Sequence, residues 1–320
     1  MSGIRPVTRP LITGFFKMRD DADLHVLTLV AAEQGMLDDR LASTVANVLG
    51  ETMEPDWLAP GLACDVRFLC PDFETRRQEL EAKIQSKVPE HRIDFALQAD
   101  DGRRKSLLIA DMDATIVVGE TLDELADETG LKDQIAAITA RAMGGELDFA
   151  EALRERVAML AGLSEGALER TYSRIVPMPG ADTLVATMKA HGAFTALVSG
   201  GFDYFTSRVR GRLGFDIDSA NVLEIEGGAL TGQVVEPIRG RDAKREMLLS
   251  LCQRLAIAPD AAAAIGDGAN DLAMIAEAGM GVAYHAKPAL RDAARFKIDH
   301  GDLRTLLYFQ GYRFEDIQAE

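Results

Sequence analysis

The stretch Leu107–Thr115, LLIADMDAT, constrains this chain more than any other segment. Leu107, Leu108, Ile109 and Ala110 are apolar in succession, as in a strand covered on both faces, the kind found in parallel sheets. The run ends in two carboxylates, Asp111 and Asp113, followed by Thr115. The chain turns at the carboxyl end of such a strand, so both carboxylates can reach one mouth. In open α/β sheets that mouth is where ligands bind. Two acids there repel each other unless a cation sits between them or one is protonated. The plain alternative is a strand end with two solvated acids.

Three later segments fit the same architecture, in order. Ala193–Gly201, AFTALVSGG, reads as an apolar strand ending in Ser199, Gly200 and Gly201. A hydroxyl and exposed N–H groups at a strand end suit a phosphate or oxyanion. In RDAKREM, Lys244 falls near the start of a helix. Ala261–Asp271, AAAAIGDGAND, is a small apolar strand broken by glycines, with Asp267, Asn270 and Asp271 behind it. Alone, each has an ordinary reading: a turn, a solvated lysine, a calcium-type loop that lacks its closing Glu. Together they supply the groups that metal-assisted phosphoryl transfer needs.

On these four motifs the chain resembles the haloacid dehalogenase superfamily and, within it, the phosphoserine phosphatase family. The superfamily pattern of DxDxT, then Ser or Thr, then Lys, then a glycine-rich acid cluster corresponds to Asp111/Asp113/Thr115, Ser199, Lys244 and Gly266–Asp271. Ala114 stands where relatives often carry Ser.

The resemblance implies hydrolysis of O-phosphoserine through an aspartyl-phosphate on Asp111, the last step of serine synthesis. It makes Asp113 the acid and then the base, with Lys244, Ser199, Gly200 and Asn270 on the phosphate. It also implies Mg²⁺ on Asp111, Asp267 and the backbone carbonyl of Asp113. Asp271 is expected to orient Lys244 or metal-bound water. The nearest alternative is transfer of the phosphoryl group to homoserine or another small alcohol. An amino-acid sensor with a vestigial phosphatase fold sits poorly with an intact acid set.

Residues 119–180 carry helical rather than strand patterning, as in ETLDELADETG with its Gly130 stop. A helical insertion after the first strand resembles the small cap of the superfamily, which closes over the site. Glu120 can bend back over the mouth, where an acid suits an α-ammonium group. Arg156 can hold a carboxylate in a bidentate fork. By resemblance these two read the zwitterion of the substrate, and Met143 and Phe149 wall the pocket. The ordinary readings are a first-turn acid, a solvated arginine and cap packing.

The expected fold is therefore α/β: a Rossmann-like doubly wound parallel sheet over 105–320 with a small helical cap. Residues 1–100 form a separate α+β unit. HVLTLVA, LACDVRFLC and RIDFALQ read as strands, and Leu37–Gly50 and Glu74–Val88 as helices. That order resembles an ACT-type or ferredoxin-like module, either regulatory or for dimerisation. DDGRRK at 100–105 reads as the linker. LYFQG at Leu307–Gly311 resembles part of a protease-tag site but reads as native amphipathic chain.

A net charge of −16 argues against a nucleic-acid partner. No apolar run is long enough to span a membrane, and the start lacks a secretory pattern. Three scattered cysteines fit a reducing, cytoplasmic setting. A homodimer is expected from an exposed edge of the N-terminal sheet.

Overall fold

The computed structural model describes residues 24–88, 91–143, 147–240 and 242–318. The N-terminal unit runs β1 (Leu24–Ala31), α1 (Asp39–Ala46), β2 (Asp56–Ala59), β3 (Ala63–Leu69), α2 (Phe73–Gln85) and β4 (Ile93–Ala99). Its antiparallel sheet has the order β2-β3-β1-β4, the βαββαβ arrangement of ferredoxin-like units. The four-residue β2 is the element that sequence reading misses.

Strand alternation gives this sheet two apolar faces. Leu27, Leu29, Val66 and Leu97 pack with Ala42, Val45, Leu80 and Ile84 of α1 and α2. Val30, Leu58, Ala63 and Ala96 join the core of the C-terminal unit instead. Little of the sheet is free. Asp94 in β4 accepts backbone N–H groups from Asp299, His300 and Gly301. Arg313 donates to the Trp57 carbonyl of β2. The sheet edge expected to be exposed is thus covered at β4, and at β2 it is four residues long.

The stretch 100–105 is not a slack tether. Asp100 pairs with Arg67 at 2.8 Å, Arg103 with buried Asp65 at 2.6 Å, and Arg104 with Asp316 at 2.7 Å.

The second sheet has the order β11-β10-β9-β5-β6-β7-β8. It is built from β5 (Leu107–Asp111), β6 (Phe194–Phe202), β7 (Ile217–Glu226), β8 (Ala229–Val235), β9 (Ala262–Gly266), β10 (Met280–Tyr284) and β11 (Phe296–Ile298). Neighbours are parallel except the β7–β8 hairpin. Consecutive strands β5 and β6 are joined by helices α3 (Thr121–Asp127), α4 (Lys132–Met143), α5 (Phe149–Ala158), α6 (Glu165–Arg174) and α7 (Ala181–Ala190). The remaining helices are α8 (Asp203–Leu213), α9 (Ala243–Leu255), α10 (Leu272–Glu277), α11 (Pro288–Ala293) and α12 (Thr305–Phe309). β5 is buried along its whole length, as four apolar residues in a row require.

Helices α3–α6 form the helical layer over the strand ends. The chain enters and leaves this layer through two crossing segments, where Val118 donates to the Val176 carbonyl and Met178 to that of Ile116. The β7–β8 hairpin, turning at Gly227–Gly228, supports it from the side. Gly162 donates to the Leu230 carbonyl, and Arg154 pairs with Glu236 at 2.6 Å. Tyr308 and Phe309, inside the LYFQG stretch, are buried in the core.

Candidate active site

The site lies at the carboxyl ends of β5, β6 and β9, side by side in the sheet. This adjacency brings together motifs that are distant in sequence. β5 ends at Asp111, which is almost fully buried. Its Oδ1 accepts the Met112 N–H at 2.8 Å and pairs with the Lys244 ammonium at 2.6 Å. Its Oδ2 has no hydrogen-bond donor among the described residues, so one carboxylate oxygen is fixed and the other is open to chemistry.

Lys244 is the second residue of α9 and is buried. It also pairs with Asp271 Oδ1 at 2.6 Å. Asp271 Oδ2 accepts the N–H groups of Asp267 and Gly268 at 3.2 and 3.1 Å. Both Asp271 oxygens are therefore committed, and it holds the lysine against the 267–268 loop. Gly266 is required here by space: a Cβ on it would fall 2.4 Å from the Asp271 carboxylate.

Burial and the Asp271 carboxylate push the Asp111 carboxyl well above the ordinary range, and Lys244 opposes them. Burial works against charge on Lys244, but Asp111 and Asp271 outweigh it and hold the ammonium above its usual value.

Asp113 is half-buried and faces the same space. Its Oδ1 accepts the Thr121 N–H at 2.9 Å and its Oδ2 the Ser199 hydroxyl at 3.1 Å. Burial raises its pKa, against these hydrogen bonds. Between the two acids the chain makes a tight turn, with Ala114 at φ +53° and its N–H donated to the Gly119 carbonyl. A residue with a Cβ in this region is uncommon, and here it bends Asp113 back over the strand end.

β6 does not stop at Ser199 but continues to Phe202. Ser199 accepts the Gly201 N–H at 2.8 Å. A Cβ on Gly200 would lie 3.3 Å from the Phe149 ring, so the helical layer approaches this backbone closely. Phe149, Ser199, Gly200, Lys244 and Asn270 line one cleft, whose cavity is only about 20 Å³.

Carboxylate oxygens of Asp111, Asp267 and Asp271 lie within 4.8 Å of one another. Hard carboxylate oxygens suit a cation such as Mg²⁺ rather than a thiophilic metal, and with both Asp271 oxygens committed the donors left for it are on Asp111 and Asp267. Asp267 Oδ2 is held at 3.0 Å by Lys287, a residue that sequence reading missed. Lys287 also reaches Glu120 at 3.5 Å. Only the pairing of β9 with β10 puts it there, and the AKP triplet gives no local sign of that role. The acid cluster thus draws in positive charge, as a metal site should.

Glu120 stands just before α3, with about half its side chain exposed. Burial and the nearby Asp113 carboxylate push it up to about 7, against Lys287. Arg156, in α5, donates to the Ala152 carbonyl at 3.1 Å. Its pKa is lowered by burial, with Asp123 and Glu120 the acids in range. Among the described residues no carboxylate comes within 4.0 Å of its guanidinium. Met143 ends α4, and its side chain lies outside the described residues.

Residues 105–279 match the haloacid dehalogenase-like hydrolase family. The chain belongs to that family. It is 49% identical over 207 residues to a phosphoserine phosphatase of Albidiferax ferrireducens, across 63% of this chain and 87% of that one. A haloacid dehalogenase family hydrolase from Salmonella enterica serovar Typhi superposes with a TM-score of 0.80 at 30% identity, covering 89% of this chain and 98% of its own. A substrate-bound phosphoserine phosphatase gives 0.60 at 37% identity, over 64% of this chain and 98% of that one.

Proposed function

We propose that this chain is a phosphoserine phosphatase, hydrolysing O-phospho-L-serine to L-serine and phosphate. The observation that carries the reading is a charge pattern. A carboxylate with one open oxygen, Asp111, is fixed by a buried lysine. Above it the helical layer supplies an acid, Glu120, and a desolvated arginine without a carboxylate partner, Arg156. A phosphate, an ammonium and a carboxylate on one small molecule match these three elements.

In the first half-reaction the open oxygen of Asp111 attacks phosphorus and the bond from phosphorus to the serine oxygen breaks. Asp113, which meets the Ser199 hydroxyl and is not paired with Lys244 as Asp111 is, gives a proton to the leaving oxygen. In the second, water attacks the aspartyl-phosphate, Asp113 takes the proton of that water, and Asp111 is released. Lys244, Ser199 and the N–H of Gly200 act on the phosphoryl oxygens, and Asn270 borders them.

Mg²⁺ would be held by Asp111, Asp267 and the Asp113 carbonyl, and would neutralise charge between nucleophile and phosphate. The narrow cleft requires the helical layer to swing away for substrate entry, with Phe149 closing on Gly200 afterwards. Among the described residues no helix is long and apolar enough to cross a membrane, and a cytoplasmic setting is part of this proposal. A homodimer would have to avoid the covered β4 edge. The N-terminal unit is read as ACT-like from its element order.

The test is phosphate release from O-phospho-L-serine with Mg²⁺, beside EDTA, O-phosphothreonine and a sugar phosphate. Strong, metal-dependent preference for phosphoserine is expected. Arg156→Ala should lose far more activity on phosphoserine than on p-nitrophenyl phosphate, and equal losses would remove Arg156 from specificity. Phosphohomoserine formed when homoserine is added would convert the reading to phosphotransfer.

A further inference from the structure

A cavity of about 320 Å³ lies in the seam between the N-terminal unit and β11, sharing no residue with the acid cluster. Gln78, Glu81 and Gln85 of α2 form one wall, and Asp94 and Phe95 of β4 another. Arg295, Lys297 and His300 close it from the catalytic unit. The volume falls at the lower end of small-molecule sites.

The acids of this cavity are satisfied by the protein. Glu81 pairs with Arg77 at 3.0 Å. Asp299 is held by both arms of Arg291, at 2.9 and 2.7 Å. Asp94 takes three backbone N–H groups. The bases are not matched in the same way. Arg295 donates to the Leu97 carbonyl at 3.1 Å and lies over the Phe296 ring. Among the described residues no carboxylate comes within 4.0 Å of Arg295 or Lys297. Burial and the charge of Arg77 both work against the Arg295 guanidinium, with Glu74 and Glu81 opposing them. Arg295 is exposed and Lys297 half-buried, so both cationic heads remain accessible to an incoming anion.

We propose that this cavity binds a small anionic metabolite, through a carboxylate or a phosphate held by Arg295 and Lys297, at the seam between the two units. The guanidinium fork suits an oxyanion with two oxygens in plane. The amides of Gln78 and Gln85 are placed to meet the rest of the molecule.

The site has a route to the acid cluster. Arg295 and Lys297 flank the start of β11, and α11 begins directly after Lys287. His285 ties the two ends of this segment, donating its N–H to the Ile298 carbonyl and bonding the Gly301 carbonyl through its ring. An anion that draws α2 towards β11 therefore acts on the segment that carries Lys287 to Asp267.

Hydrogen exchange on the full chain tests this without relying on turnover, so its outcome is separate from the phosphatase reading. Inorganic phosphate and malonate serve as the two probes, which separates phosphate from carboxylate recognition. With at least one of them, amides in 78–85 and 294–301 should exchange more slowly, approaching about tenfold at ten times the dissociation constant by mass action. The Arg295→Gln/Lys297→Gln double variant should lose that protection. Lys297→Gln alone, at a half-buried position, covers the case in which the double variant does not fold. Protection confined to the 111–121, 199–201 and 266–271 segments would overturn the proposal. So would no protection by either probe, or protection that survives both variants.

Discussion

Asp271→Asn has nearly the shape of the native side chain, yet the structure predicts that it is poorly tolerated. Each neighbour that Asp271 contacts by hydrogen bonding is a donor: Lys244 Nζ at 2.6 Å on one oxygen, and the N–H groups of Asp267 and Gly268 at 3.2 and 3.1 Å on the other. An amide offers one acceptor and one donor, so its NH₂ must oppose a donor on one side. If it faces the loop, two buried N–H groups lose their acceptor at ~1–3 kcal/mol each. If it faces the lysine, a charge-assisted bond worth ~1.5–3 kcal/mol is lost. The cheaper arrangement costs about 2–3 kcal/mol, part of which is offset because one of three crowded carboxylates has gone. A net loss of about 2 kcal/mol moves a urea midpoint down by roughly 1 M. Lys244 then keeps only Asp111 as anchor, and turnover of phosphoserine should fall ~10–100-fold, as for other partners that orient a reacting group. A variant with the native urea midpoint and turnover within about twofold of wild type would show that Asp111 alone positions Lys244.

Three further outcomes are expected. Lys287→Met frees buried Asp267 from a competing ammonium on a half-exposed lysine, so half-saturating Mg²⁺ should fall, by about fivefold if the pair is worth ~1 kcal/mol; an unchanged or higher requirement would contradict this. Glu120 must be ionised to hold an ammonium and its carboxyl sits at about 7, so kcat/KM for phosphoserine should decline as pH falls below about 7. Glu120→Gln and p-nitrophenyl phosphate should both lack that limb, and its persistence in either would assign it to another group. Asp94→Ala strips the acceptor from three backbone N–H groups in the seam, and about 3 kcal/mol should be lost. Trp57, the one tryptophan, sits in the N-terminal unit and reports the transition by fluorescence, and an unmoved transition would refute the estimate.

The candidate site was readable because its residues are grouped locally. Asp111 and Asp113 share one strand end, GDGAND keeps Asp267 and Asp271 within a few residues, and β5 and β9 announce themselves by unbroken apolar runs, β6 by a run broken only at Thr195. Lys287 was not readable, since its role depends on β10 lying beside β9. The β7–β8 hairpin carries a Gly-Gly turn signal that could have revealed it, but not that it would brace the helical layer. The stretch 100–105 looks like a linker by composition, because charged residues committed to ion pairs and charged residues in solvent have the same spelling. The covered β4 edge escaped for a related reason: Asp94 sits in an alternating strand, and nothing nearby says that its acceptors serve amides some two hundred residues later.

That separation bears on how the protein is made. The bonds joining the two units run from residues 56–104 to residues 295–316, with sequence separations of 198 to 257. The N-terminal unit is synthesised first, yet Val30, Leu58, Ala63 and Ala96 gain their cover only after the catalytic sheet and α12 have been translated. Throughout elongation, one apolar face of the nascent sheet has nothing native to rest on. Contacts this far apart slow folding and lengthen the life of sticky intermediates. Chaperone dependence during expression should therefore track the seam more closely than the active site.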